Sequence, residues 1–287
     1  MKYLSVFFVS ALLCFATAAF ADNGNRKAQQ NLYELEPVYT RNARNSQRIT
    51  VNLTYDNFSN VRLEEADKFD GYTATAELII PFGKDKSWEI RFEYPFKTDG
   101  DARFIETGES IDIEGDAGVF DFANLVLQRE LSTIDKSSVN SSIYVGFGKR
   151  ATYLNTSIDD KYNHAGSIIR LGFNIDNARR NQNLRLQASL DGRYYFDSDD
   201  LNPSDNGTEF YLMNLSGAAV YNSDTFIKPA FEVLFSTDFY DRRIIQAVPE
   251  LIVPIGKTFE IKGGYAFGHS SGEGSTQTAT IRTTFRF

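Results

Sequence analysis

The sequence predicts an all-β transmembrane barrel: antiparallel, up-and-down, with about 12 strands. Three observations lead there. Segments of roughly ten residues alternate apolar and polar side chains with period two, the spacing of a strand with one face in lipid and one in water. Every second connection between them is short, and the others are mostly long. The chain ends on "TATIRTTFRF", where Ala279, Ile281, Thr283, Phe285 and Phe287 share one face and Thr280, Arg282, Thr284 and Arg286 the other. A strand that runs to its last residue leaves an open edge unless both sides are paired, and a closed barrel supplies that pairing.

The elements follow in order. Residues 1–21 read as a signal peptide, with Lys2, an apolar run and the small-x-small site Ala19-Phe20-Ala21. The single cysteine, Cys14, lies within it, so the exported chain is expected to have no disulfide and no thiol chemistry. Residues 22–47 are polar apart from "LYELEPVY" and are expected as a periplasmic N-terminal tail, with residues 48–287 as the outer-membrane β-barrel. No later run approaches ~18 apolar residues, so no transmembrane helix is expected. The mean hydropathy of −0.34 does not oppose a membrane barrel, because only alternate residues face lipid. A net charge of −8 argues against a nucleic-acid partner.

The clearest strands are "RITVNLTYDNF", "GYTATAELIIPF", "SWEIRFEYPF", "AGSIIRLGFNI", "NLRLQASLDGRYYF" and "TFEIKGGYAFG". Weaker ones lie at "FDFANLVLQREL", "NSSIYVGFGKR", "EFYLMNLSGAAVY", "FIKPAFEVLFST" and "RIIQAVPELIV". Pro229 and Pro249 each remove a ladder donor, so bulges or irregular pairing are expected there. Short turns such as "PFGKDK" and "PIGK" are expected on the periplasmic side. The long connections 59–70, 97–117, 151–164 and 198–208 are expected on the other. Trp88, Phe82, Tyr221, Phe226 and Phe259 flank the short turns, as an interfacial girdle does.

Charged residues opposite the apolar face are expected to line the lumen, since hydrocarbon excludes them. The candidates are Glu77, Glu89, Arg91, Glu93, Arg170, Arg185, Asp191, Arg193, Arg282 and Arg286, with Asp56, Glu232, Glu250, Glu260, Lys228 and Lys262 by the same parity. So balanced a set either cross-links the walls or lines a narrow polar pore. One constellation suggests chemistry. His269-x-Ser271 resembles the base and nucleophile of a lipid-acting barrel hydrolase, but the following strand offers only Thr276, Gln277, Thr278 and Thr280 to orient the base. The acidic loop 97–117 contains Asp112-x-Glu114-x-Asp116, whose oxygens could hold Ca²⁺ or bridge to lipopolysaccharide through divalent ions, although an acidic surface loop is more often simply solvated. No catalytic, cofactor or metal residue is assigned, and no cofactor is expected.

"ELIIPFGKDKSWEIRFEYPF", "DAGVFDFANLVLQREL", "VPELIVPIGKTFEIKGGYAFG" and the terminal "TIRTTFRF" resemble segments of the outer-membrane meta-pathway phenol-degradation-like transporters. Where that family shows Gly-x-Gly-Asp, this chain has Gly118-Val119-Phe120-Asp121. The resemblance implies passage of small hydrophobic or aromatic compounds and carries over no binding residues. The expected function is therefore an outer-membrane barrel of a Gram-negative bacterium that passes or binds a small solute. The alternatives are a lipid hydrolase using His269 and Ser271, and a non-conducting surface or adhesion barrel. Expected partners are outer-membrane lipid, lipopolysaccharide and the barrel-assembly machinery, the last through Phe285 and Phe287 of the terminal strand.

Overall fold

The computed structural model describes residues 35–61, 68–103, 108, 110–115, 121–132, 139–153, 163–177, 184–196, 210–222, 225–237, 243–271 and 274–287. The expected signal peptide, residues 22–34 and Asp116 lie outside them. In chain order the strands are β1 (Thr50–Val61), β2 (Lys68–Phe82), β3 (Trp88–Arg103), β4 (Ser110–Gly115), β5 (Asp121–Ser132), β6 (Asn140–Tyr153) and β7 (Asn163–Asp176). They continue with β8 (Leu184–Phe196), β9 (Phe210–Tyr221), β10 (Lys228–Thr237), β11 (Arg243–Ile255), β12 (Phe259–Ser270) and β13 (Gly274–Arg286).

Each strand pairs antiparallel with its sequence neighbour, and β13 closes on β1 from Thr50↔Arg286 to Ser59↔Gln277. Twelve strands thus form a closed barrel, with β5 continuing the wall beside the first half of β3. Closure leaves no edge, so the ladder groups of β1 and β13 pair with each other rather than stand open. The short β4 pairs only with Thr98–Arg103, beyond the stretch of β3 that meets β5. Part of the expected acidic loop 97–117 is therefore a β-hairpin, in which Asp112 is exposed and sits opposite Asp101. The alternation of β4 is short, Ile111 and Ile113 between Ser110, Asp112 and Glu114, and the acids around it make the sequence look like a loop.

Irregular pairing occurs at Pro249 as expected, but not at Pro229. Across β10–β11 the register runs unbroken through Pro229↔Leu251 and Phe231↔Pro249. Opposite β12 the pairing skips Val248 and Pro249 but resumes in the same register at Glu250↔Gly264. A proline facing a gap in the ladder has no donor to lose. Register shifts fall elsewhere: one beside Pro95, where β2–β3 pairing passes from Ala74↔Lys97 to Thr75↔Pro95, one in β1–β2 after Phe58, and two in β5–β6. The turn after β2 is a single 3-10 segment, Lys84–Lys86, entered through Gly83 at φ 79°.

Outward positions are apolar and exposed, among them Phe92, Leu171, Leu186 and Phe231, and inward ones are largely polar and buried. At the short-turn end, Phe82 stacks on Trp88 with ring centroids 6.3 Å apart, and Phe259 lies 4.8 Å from Phe285. The seam extends one step past β13, where the Phe287 N–H donates to the Ile49 carbonyl at 2.9 Å while the residue as a whole stays 76% exposed. Deleting Phe287 removes a seam bond worth about 1 kcal/mol. The fraction that keeps its fast, compact mobility in unheated SDS gels is expected to fall further than after an equal deletion at Gly256–Lys257.

Candidate functional site: a lumen occupied by residues 35–47

Expected as a tail, residues 35–47 instead lie inside the barrel. Their bonds reach β2, β3, β5, β7, β8, β10, β11 and β13, and one short segment meets strands on all sides only from within a closed wall. Leu35, Val38, Thr40 and Ala43 are almost completely buried. The segment has no regular secondary structure, so its main-chain groups have no ladder and the wall has to satisfy them.

Carboxylates take its N–H groups. Val38 donates to Glu250 at 3.1 Å, Tyr39 and Thr40 to Glu232 at 3.0 and 2.6 Å, and Ala43 to Asp176 at 3.1 Å. Asn45 donates to Glu130 at 2.7 Å and Ser46 to Glu89 at 2.5 Å. Cations and amides take its carbonyls: Arg185 reaches Leu35, Lys262 reaches Glu36 at 2.5 Å, and Gln128 reaches Asn42 at 3.4 Å. Two side chains anchor it. The Tyr39 hydroxyl lies 2.8 Å from Thr280, and the Arg41 guanidinium sits 2.9 Å from Glu77 and 3.2 Å from Glu93. Charge-assisted bonds of this kind are about twice as strong as neutral ones. Burial works against the charge of Glu36, but Arg41, Arg91 and Lys262 around it prevail and pull its carboxyl down to about 2.

The path is a loop that enters and leaves at the short-turn end. The Asn45 side chain donates to the Lys86 carbonyl and Arg48 to that of Lys257, both in short turns. At its other end Leu35 packs with Val220, Ala230 and Ile252, near the turns flanking β9–β10 and β11–β12. Tyr39 and Arg41, reaching mid-strand partners, are the deepest points.

The lumen candidates fall into two groups. Nearer the short turns, Arg185 meets Asp176 at 3.1 Å with both side chains fully buried, and Arg91 meets Glu89 at 2.5 Å and Gln128 at 2.9 Å. Arg286 meets Glu260 at 3.2 Å, and Arg282 donates to Thr54 at 3.1 Å. Further in, Asp191 gathers Arg193 at 2.6 Å, Arg170 at 3.2 Å and the Tyr144 hydroxyl at 2.7 Å, while Arg170 also reaches Glu93 at 3.2 Å. Gly172 makes this possible, because the Tyr144 ring lies over it where any Cβ would overlap. Pairing that ties the walls together thus occurs at both depths of the lumen.

Sequence reasoning missed Glu36, Arg41, Asn42, Asp176, Glu130, Gln128 and Ser189. A signal was present: cations at Arg41 and Arg44 precede a wall that carries inward acids at the ends of β5 and β7. His269 and Ser271 are not brought together as base and nucleophile. His269 is exposed on the outward face, and the Ser271 hydroxyl accepts the Arg243 N–H at 2.9 Å.

No family model matches the chain, and no curated protein does either. Solved structures do. The transport unit of the autotransporter AIDA-I from Escherichia coli has a TM-score of 0.57 at 10% identity, over 91% of this chain and 96% of that one. An outer membrane channel from Pseudomonas putida F1 has 0.60 at 11%, over 88% and 100%. The translocator domain of the autotransporter NalP from Neisseria meningitidis has 0.53 at 14%, over 95% and 98%. At such identities the likeness is one of fold, so the phenol-degradation-like resemblance is not carried further, and the chain has the closed twelve-stranded barrel architecture of outer-membrane proteins.

Proposed function

We propose that this chain is a solute-passing barrel of the Gram-negative outer membrane, held shut in the described state by residues 35–47. The observation that carries the reading is how that segment is seated. Its contacts are hydrogen bonds and ion pairs to the wall, with a small apolar cluster at Leu35, and water can replace polar bonds of this kind when the segment leaves. A permanent filling would more naturally be an apolar core. Two barrels that share the fold are described as an outer membrane channel and a transport unit, which supports the direction of this reading.

Lipid and lipopolysaccharide contact the apolar outer face, and the assembly machinery takes the chain through Phe285 and Phe287. The small hydrophobic compounds implied by the family resemblance would meet the ion pairs of Glu93, Arg170, Asp191 and Arg193, so a polar solute fits this wall better.

Planar-bilayer recording tests the proposal. The full chain is expected to be mostly closed with brief openings, and a chain lacking residues 35–47 to conduct steadily. Silence from both, with the barrel correctly folded, would make the interior charges pillars and the chain a non-conducting surface barrel.

A further inference from the structure

We propose that the lumen is a binding site for short arginine-bearing peptides, with residues 35–47 as its tethered occupant. This rests on the reading of the segment as a plug that leaves. The wall grips the segment mostly by its main chain, and contacts of that kind are indifferent to side chains, so a peptide of other sequence that follows the same path offers them.

One residue is recognised in full. Ser189 accepts the Arg41 N–H at 3.1 Å and donates to the Arg41 carbonyl at 3.3 Å, while the guanidinium lies between Glu77 and Glu93. Those two glutamates are register partners across β2 and β3, with both side chains turned inward. Like charges directly opposite each other destabilise a ladder, and although Arg170 also meets Glu93 at 3.2 Å, Arg41 is the cation that bridges the two carboxylates. A planar guanidinium bridges two carboxylates better than a point charge does.

A second observation is independent of the segment. Gln187 is 5% exposed on the inward face of β8, between Arg185 and Ser189, and neither its amide nitrogen nor its oxygen has a hydrogen-bond partner among the described residues. A side-chain amide offers the same donor and acceptor as a peptide group, and burying it unmet is costly. The tethered segment uses the residues on either side of Gln187 on that face and passes it by. An extended peptide has the same two-residue repeat as the strand, so one running along β8 meets Arg185, Gln187 and Ser189 together.

The test uses the barrel without residues 35–47 and labelled peptides, read by fluorescence anisotropy in detergent and by block of conductance. The probes are LEPVYTRNARNSQ, an unrelated peptide of equal length with a central arginine, and that unrelated peptide with glutamate in place of the arginine. The two arginine peptides are expected to bind within about tenfold of each other, and the glutamate peptide at least about tenfold more weakly. Gln187→Leu is expected to weaken the unrelated arginine peptide about tenfold. Binding by LEPVYTRNARNSQ alone, or by no peptide, overturns the proposal, as does indifference to Gln187→Leu. A barrel that stays silent in bilayers yet binds both arginine peptides sinks the channel reading and leaves the peptide site standing. If the deletion does not fold, full-length Arg41→Ala is titrated by the same criteria. The competitor is then supplied above the ~mM effective concentration of a tethered segment.

Discussion

Replacing Arg185 by Met is expected to lower the unfolding free energy by about 3–5 kcal/mol, the range for breaking a buried pair by removing one partner. Arg185 and Asp176 are both fully buried and 3.1 Å apart. Losing the guanidinium takes from the Asp176 carboxylate the cation 3.1 Å away, while the Asn140 amide at 2.6 Å and the Ala43 N–H at 3.1 Å remain. It also frees the Leu35 carbonyl and the Asn42 side chain, which Arg185 holds, so the plug should loosen together with the wall. The double variant Arg185→Met/Asp176→Leu is expected to recover much of the loss, because an apolar pair in place of a buried ion pair is often neutral. Urea unfolding in lipid vesicles measures both. A small loss in the single variant would mean that Asp176 is protonated or wet, and that the plug's seat is not the ion-paired one described.

Placing arginine at Leu171 should cost about 2–4 kcal/mol, the penalty for a charge on the lipid face near the midplane. Leu171 lies mid-strand in β7, 59% exposed, between Val145 and Gly192 on the neighbouring strands. Its neighbour Arg170 already carries that charge at 8% exposure, one residue away and on the opposite face, where Glu93 and Asp191 meet it. The same side chain is therefore a wall tie at one position and a fault at the next. Unchanged stability of Leu171→Arg in vesicles would mean that this face does not meet hydrocarbon.

That contrast explains what was legible in the sequence. Alternation is imposed by lipid on one side and a polar lumen on the other, so Leu186 against Arg185 or Phe92 against Arg91 can be assigned from the pattern alone. The tyrosines at the far end follow the same logic, with Tyr194 and Tyr211 stacked 4.8 Å apart on adjacent strands. The plug obeys no such rule. Residues 35–47 have no period, because their main-chain groups bond to side chains scattered over the wall, and polar composition alone reads as a solvated tail. Glu130 and Asp176 were passed over because they stand at strand ends, where the acid could equally belong to a turn. The β3–β4 hairpin was hidden for a different reason: the alternation of Ser110–Glu114 is only five residues long and sits in an acidic stretch that reads as a loop. The gap at Pro249 was legible, because a proline has no donor to give, but which neighbouring strand fails to pair there is recorded in no local pattern.

The position of residues 35–47 is the central claim, and thiol accessibility tests it most directly. Ala43 is fully buried, Thr40 likewise, and Lys257 is exposed in a short turn. In the Cys14-free chain inserted in bilayers, Ala43→Cys and Thr40→Cys are expected to react with a membrane-impermeant maleimide at least about tenfold more slowly than Lys257→Cys, since reaction waits on opening of the local structure. Labelling of all three at the same rate would place the segment outside the barrel and contradict the account.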